Sequence, residues 1–173
     1  NGLQREQFLP FISIINKNLI QKELLLDDDY RLLMKNDSKR IFYPLNKTTS
    51  FRLNQIFREL TRNEITENKT IITKGRSLKI ENYFAGIVRF KFNDLCDANL
   101  GSEDYLNIAS VCKHVFIENI PIFTDQNSNQ QLRFITLIDI FYEKKIFLTL
   151  SLQNNIFKIG SSKKHFKVFE RTQ

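Results

Sequence analysis

The C-terminal half of the chain alternates between apolar strands and amphipathic helices. Apolar and basic residues alternate over 88–92, which predicts a strand with one buried face. The runs 115–117 and 146–150 are apolar almost throughout, as in strands covered on both faces. Two helical patterns separate these strands, one opening at Ser102 and one over about 129–144. Their apolar positions are Tyr105, Ile108, Ala109 and Cys112 in the first helix, and Leu132, Ile135, Ile138 and Phe141 in the second.

Strand, helix, strand, helix and strand in this order predict a parallel sheet covered by helices, an α/β unit with βαβαβ connectivity. Phe116 should be buried in that sheet. Ser102 should cap the first helix, with Glu103 and Asp104 in its first turn, where acids suit the helix dipole.

The N-terminal half predicts shorter elements. They are a helix over 7–19 with Pro10 in its first turn, a strand at 23–26, extended pieces at 30–34 and 40–43, a helix through Leu53, Ile56, Phe57 and Leu60, and a hairpin of 70–73 with 76–80. Thr49 or Ser50 is the expected N-cap of the second helix. We therefore divide the chain into an α/β domain at 86–173, a small α+β connecting region at 29–85, and a first segment at 1–28.

The basic balance of the chain does not define a nucleic-acid surface. Lys and Arg number 26 against 19 Asp and Glu, a net charge of +7. The positive residues are spread, with small groups at 39–40, 144–145 and 163–167, and no stripe interleaves them with aromatic residues that could stack bases. A solvated basic face is the simpler interpretation, and a nucleic-acid partner is not expected. No apolar run approaches the roughly 20 residues that span a bilayer.

Cysteine and histidine offer little chemistry. The chain has two of each, Cys96, Cys112, His114 and His165, without the four-ligand spacing of a structural zinc site, so no metal site is expected. Cys112 and His114 stand close in sequence, but Cys112 falls on the apolar face of a predicted helix. Core packing is the favoured interpretation.

A complete nucleotide site is also missing from the sequence. A P-loop needs a glycine-rich turn followed by Lys and Ser or Thr. None of the 5 glycines belongs to a Gly-Lys-Ser or Gly-Lys-Thr sequence. Gly101-Ser102 lies between a strand and a helix but lacks the lysine. Glu118 follows an apolar strand, as a Mg²⁺-orienting acid would, but without a phosphate cradle we expect an ordinary strand-end carboxylate.

Several stretches nevertheless have a distinctive amino-acid sequence. They are NGLQREQFLPFI at 1–12, DYRL at 29–32, KGRSL at 74–78, FKFNDLC at 90–96, LGSEDY at 100–105, RFITLIDIFYE at 133–143 and FERT at 169–172. In these stretches the chain resembles, in order and over its whole length, the ZapE family of bacterial cell-division ATPases with mitochondrial AFG-like relatives.

The resemblance implies that the chain is the C-terminal part of an AAA-like P-loop ATPase. The Walker A, Walker B and sensor-1 segments of the family would precede Asn1, so 1–28 would be the end of the ATPase core. ATP and Mg²⁺ would then be cofactors of the parent protein, and none is expected in this fragment. Arg5 matches a family position after sensor 1 and becomes a candidate arginine finger, with packing or capping as the alternative. Arg171, in the closing motif, is a sensor candidate.

By the same resemblance the parent would assemble as a homo-oligomer and couple ATP hydrolysis to remodelling a protein partner. That partner would be a division-ring protein in bacteria, in the cytoplasm or peripheral to the inner membrane, and the setting would be mitochondrial in a eukaryote. The fragment alone should not hydrolyse ATP. Two alternatives stay open: a stand-alone protein-interaction module without nucleotide chemistry, and a basic nucleic-acid-binding domain.

Overall fold

Six strands and five helices follow one another in the part of the chain that the computed structural model describes, residues 40–73 and 76–172. In chain order they are β1 (Ile41–Phe42), α1 (Lys47–Leu60), β2 (Glu67–Thr73), β3 (Arg76–Tyr83), β4 (Ile87–Lys91), α2 (Phe92–Cys96), α3 (Ser102–Val111), β5 (His114–Ile120), α4 (Ser128–Glu143), β6 (Phe147–Leu152) and α5 (Phe166–Thr172), with 3-10 turns at Asp125–Asn127 and Ile156–Lys158. The elements predicted at 7–19, 23–26 and 30–34 lie outside the described residues.

The central sheet is parallel, as the sequence predicted. Its strand order is β1-β6-β5-β4, and each neighbouring pair runs in the same direction. Phe116 lies opposite Arg89 on one side and Thr149 on the other, and its side chain is fully buried. The α/β prediction for this half of the chain is therefore confirmed.

The two faces of the sheet pack against different helices because neighbouring residues on a strand point to opposite faces. On one face, Val88 and Ile117 belong to the larger hydrophobic core, together with buried residues of α2, α3, α4 and α5. On the other face, Ile87 and Phe116 pack against α1. The edge of the Phe57 ring of α1 meets the Phe116 ring with centroids 5.4 Å apart. Helix α1 is therefore held by a small aromatic core of its own.

Both predicted helix caps are wrong by a few residues. Asn46, not Thr49 or Ser50, caps α1, and its Oδ1 accepts a hydrogen bond of 2.8 Å from the Thr49 backbone N–H. The cap of α3 is Gly101, whose N–H donates to Asp104 Oδ2 at 2.9 Å. Asp104 is in the first turn of α3, as expected, and its carboxylate accepts a hydrogen bond from the N–H of the cap residue.

The predicted face of the long helix is also partly wrong. Leu132 is exposed, whereas Ile135 and Phe141 are buried as expected. The remaining buried residues of α4 are Gln131, Phe134 and Leu137. A second correction concerns Phe92, which begins α2 instead of ending the strand.

The predicted hairpin is present and antiparallel, with Ile71 opposite Leu78. Two residues of β3, Ile80 and Tyr83, are buried in the larger core. The hairpin is thus packed against the α/β unit. The predicted boundaries at 28/29 and 85/86 stay predictions.

Candidate functional site

The two arginines predicted from the sequence are not placed by the structure. Arg5 lies outside the described residues. Arg171 belongs to α5, but its side chain also lies outside the described part. Their roles stay predictions, and the site below is built from other residues.

A polar cleft of about 680 Å³ opens beside the carboxyl ends of β4 and β5. Helix α1 and strand β3 supply its other walls. Its charged and amide lining residues are Lys79, Glu81, Asn82, Arg89, Lys91, Asp94 and Glu118. Ligands of open parallel sheets bind outside the carboxyl ends of the strands, so this cleft is in the place where a binding site is expected.

An ion pair between β4 and β5 fixes one side of the cleft. Arg89 Nη2 donates to Glu118 Oε2 at 2.8 Å, and Arg89 Nε donates to Glu118 Oε1, so the pair is bidentate. Arg89 Nη1 also donates to Asn54 Oδ1 of α1, and the guanidinium lies 5.7 Å from the centre of the Phe57 ring. Burial lowers the pKa of Arg89 from its ordinary value, while the facing carboxylate favours the charged form.

This pairing decides what Glu118 can do. Both of its carboxylate oxygens accept hydrogen bonds from Arg89, so a Mg²⁺ ion at Glu118 would be repelled by the guanidinium charge beside it. The expectation of an ordinary carboxylate is supported over a metal-orienting role. Among the residues that the structure describes, no group of three or more His, Cys, Asp or Glu side chains could hold a metal ion.

The turn at Gly101 likewise does not form a phosphate cradle. Its backbone N–H already donates to the Asp104 carboxylate. An anion approaching the start of α3 would also meet the negative charge of that carboxylate. The interpretation from sequence, that this turn cannot hold a triphosphate, is consistent with the geometry.

The thiols and the imidazole near them are core groups. Burial raises the pKa of Cys96 and of Cys112 to about 12, so both remain protonated thiols at neutral pH. Burial, followed by the charge of Arg40, lowers the pKa of His114 to about 4. His114 Nε2 is hydrogen-bonded to Thr149 Oγ1 at 2.8 Å, and its ring stacks on Phe116 with centroids 4.8 Å apart. Core packing of Cys112 is therefore the correct interpretation.

Sequence reasoning did not identify the Arg89–Glu118 pair. Arg89 was expected on the solvent side of a half-buried strand, and Glu118 at a strand end. The available signal was one acid, Glu118, after one predicted strand and two basic residues, Arg89 and Lys91, on the preceding predicted strand of the sheet. Asn54, an ordinary polar residue on a helix, gave no signal.

No helix in the described part of the chain has the length and apolarity that crossing a bilayer requires. The longest of these helices, α4, has 16 residues.

Comparison with known proteins gives a consistent picture. The model of the AFG1-like ATPase family matches residues 1–173. The chain is 32% identical over 149 residues to lactation elevated protein 1 homolog B of Danio rerio. This alignment covers 84% of this chain and 30% of that protein. It is 25% identical over 159 residues to the cell division protein ZapE of Escherichia coli, covering 92% of this chain and 42% of that protein.

An uncharacterized protein of Schizosaccharomyces pombe is 29% identical over 154 residues, which is 87% of this chain and 34% of that protein. Among solved structures, none matches. The chain thus spans well under half the length of the curated relatives it matches. Because the family model covers every residue and the relatives align along most of the chain, the chain belongs to the AFG1-like ATPase family.

Proposed function

We propose that this chain is the C-terminal part of an AFG1-like ATPase that couples ATP hydrolysis to remodelling of a protein partner. In this proposal the chain supplies structure and partner contacts, and another segment of the parent protein binds ATP and Mg²⁺. The limited share of the relatives that the chain covers, 30–42%, supports this division of labour. One relative is named a cell division protein, which supports a role in cell division for a bacterial parent. A division-ring partner and a cytoplasmic setting are further parts of this proposal.

One observation supports the proposal: the two groups that the sequence suggested for nucleotide or Mg²⁺ contact, Glu118 and the N–H of Gly101, are already hydrogen-bonded within the chain. Glu118 is held by Arg89, and the N–H of Gly101 is held by Asp104. Freeing either group would break an existing charge-assisted hydrogen bond before a nucleotide contact could form. These contacts support the proposal that another segment of the parent protein carries the nucleotide chemistry.

The direct test is nucleotide binding by residues 1–173. Isothermal titration of the purified chain with ATP and Mg²⁺ should show no saturable heat, while the longer parent protein, titrated in parallel, should bind. Micromolar, Mg²⁺-dependent binding of ATP to 1–173 would contradict the proposal.

Within the parent protein we propose Arg5 as an arginine finger that acts on the nucleotide of a neighbouring subunit, which implies a homo-oligomer. Arg5→Ala should lower kcat with little change in nucleotide affinity, because a finger stabilises the transition state more than the bound ground state. Arg5→Lys is the matched variant, since it keeps the charge but loses the planar fork.

Both Arg5 variants need a check of oligomer size by light scattering. An assembled Arg5→Ala protein with unchanged kcat would remove Arg5 from the mechanism. Arg171→Ala tests the sensor candidate in the same assay, where a change in nucleotide affinity is the expected effect.

The polar cleft favours a second candidate, a protein-interaction module without nucleotide chemistry. Its lining mixes Lys79 and Lys91 with Glu81 and Asp94, which suits a peptide segment with charges of both signs. The two proposals separate in the parent protein. Substitution of Lys91 and Asp94 to Ser should weaken partner binding under both, but only in the ATPase proposal does partner binding change the ATPase rate.

A further inference from the structure

The parallel strands of the central sheet all begin at one edge, and exposed cations precede three of them. Arg40 comes directly before β1, Lys113 directly before β5, and Lys144 and Lys145 lie in the turn before β6; all four are exposed. The three strands are neighbours in the order β1-β6-β5. Because neighbouring strands lie about 4.8 Å apart, the fold brings to one edge four cations that are far apart in the sequence.

Measured contacts join these residues in one surface. The Arg40 guanidinium lies 5.3 Å from the centre of the Phe147 ring, and the Phe147 N–H donates to the Lys113 carbonyl at 2.9 Å. The Lys145 N–H donates to the Tyr142 carbonyl at 3.0 Å, and Tyr142 lines the same groove as Arg40. We call this region the amino-edge surface; it consists of Arg40, Lys113, Tyr142, Lys144, Lys145 and Phe147.

The described part of the chain offers these cations no ion-pair partner, since its ion pairs are formed by other residues. Glu143 is the one acid between Tyr142 and Phe147, and residues 84–86, which precede β4 at the same edge, carry no charge. The dipoles of α3 and α4 favour the lysines that follow them. They do not account for Arg40, whose side chain lies over a ring at the start of β6. The amino-edge surface therefore suits an anionic partner.

One aromatic ring of this surface is available for stacking. Tyr142 is 82% exposed, whereas Phe147 is 46% exposed and lies beside the Arg40 guanidinium. Exposed rings beside cations bind single-stranded nucleic acid, because a base stacks on the ring while the cations pair with phosphates. An acidic peptide could pair with the cations but would make no such use of the ring. The bases of a duplex are stacked on one another and could not reach it.

We propose that the amino-edge surface binds a single strand of nucleic acid, with phosphates on its four cations and a base on Tyr142. Phe147 holds the Arg40 side chain at this edge. The sequence did not indicate the surface because Arg40, Lys113 and the turn at 144–145 come together only when β1, β5 and β6 pair. This inference goes beyond the ATPase proposal and does not depend on it.

Fluorescence anisotropy with the full chain tests the proposal. The probes are labelled oligothymidylate and oligouridylate of about 12 nucleotides, which distinguish DNA from RNA. The logarithm of the binding constant should fall with the logarithm of salt concentration with a slope of roughly −3, because each of four phosphate contacts contributes about −0.7. Lys113→Glu/Lys144→Glu/Lys145→Glu should abolish binding. Tyr142→Ser, which leaves the charge unchanged, should weaken it roughly tenfold.

The segment after the carboxyl end of β6 supplies matched controls. Lys158→Glu/Lys163→Glu/Lys164→Glu makes the same change in charge at exposed positions, and Phe157→Ser removes a ring that is 80% exposed. At physiological ionic strength charges more than about 8 Å from the bound strand are largely screened, so both controls should bind like the wild-type chain. Far-UV circular dichroism should show every variant folded.

Several results would overturn the proposal: no binding of either oligonucleotide, an equal loss in the controls, or full binding by Tyr142→Ser. The last result would mean that charge alone drives binding. Equally tight binding of a duplex would contradict the role of an accessible base. Tighter binding of a polyglutamate peptide, insensitive to the Tyr142 change, would assign the surface to an acidic protein segment instead.

Discussion

Glu118→Gln should destabilise the protein because it leaves the Arg89 guanidinium without its charged partner. The side chains of Arg89 and Glu118 are only 23% and 13% exposed, so water can replace little of the lost interaction. The glutamine can accept one hydrogen bond from Arg89 where the carboxylate accepts two. The perturbation is therefore the loss of a charge and of one hydrogen-bond acceptor at a mostly buried position.

The loss of unfolding free energy in Glu118→Gln should lie between two known limits. Breaking a fully buried ion pair costs about 3–5 kcal/mol, and losing an exposed pair costs about 0–1 kcal/mol. With both side chains mostly buried, we expect Glu118→Gln to lower the free energy of unfolding by about 2–3 kcal/mol. Arg89→Met should cost a similar amount. The double variant Arg89→Met/Glu118→Leu should lie within about 1 kcal/mol of the wild type, because no unpaired charge remains.

Equilibrium urea unfolding of these proteins, together with the single variant Glu118→Leu that closes the double-mutant cycle with Arg89→Met, gives the coupling energy of the pair. The matched control is the ion pair Lys79–Glu81, whose charged atoms are 3.7 Å apart and whose side chains are 59% and 68% exposed. Glu81→Gln should cost less than about 0.5 kcal/mol. If Glu118→Gln costs no more than Glu81→Gln, the Arg89–Glu118 pair is screened by solvent and our reasoning is wrong.

Other predictions follow from burial. Because the pKa of His114 is lowered to about 4 in the folded state, the unfolded chain binds this proton more tightly. The contribution of neutral His114 to the free energy of unfolding should be fully present above about pH 6.5. The free energy of unfolding should fall by roughly 3 kcal/mol as the pH is lowered to about 4. Urea midpoints across this range should fall less steeply for His114→Gln. Cys96 and Cys112, with pKa values of about 12, should react with a disulfide reagent near neutral pH only as fast as the chain opens; faster modification of the native protein contradicts their burial. Phe116→Asp should abolish the circular-dichroism signature of the fold and Phe116→Leu should preserve it, and a folded aspartate variant would refute the burial argument.

Sequence periodicity predicted the sheet because the burial of a strand can be inferred from consecutive residues of the sequence. The runs at 115–117 and 146–150 are apolar on both faces, and both became strands of the parallel sheet. The buried face of α4 could not be inferred in this way. Apolar residues stand at 132, 134, 135, 137, 138, 140 and 141, so the helix is apolar almost all round. Packing of α3 and α5 against α4 then decides which of these residues are buried, and that information is not local.

The candidate site depends on similar long-range information. Arg89 and Glu118 are 29 positions apart, and they meet because β4 and β5 pair in one particular register. Alternation along β4 placed Arg89 correctly on the face opposite Val88, but it could not show that α1 covers part of that face. The contact with Asn54 and the position of the Phe57 ring therefore required the structure.

The same contacts connect the cleft mechanically to both strands. Arg89 lies on β4, its ion-pair partner lies on β5, and its third hydrogen-bond acceptor lies on α1. The Phe57–Phe116 ring contact joins α1 to β5 a second time. Moving α1 away from the sheet would leave a buried guanidinium partly unsatisfied and separate two aromatic rings, and both changes are unfavourable. In our proposal ATP hydrolysis in the parent protein displaces this sheet; α1 and the cleft should then move with it and transmit the motion to a bound partner.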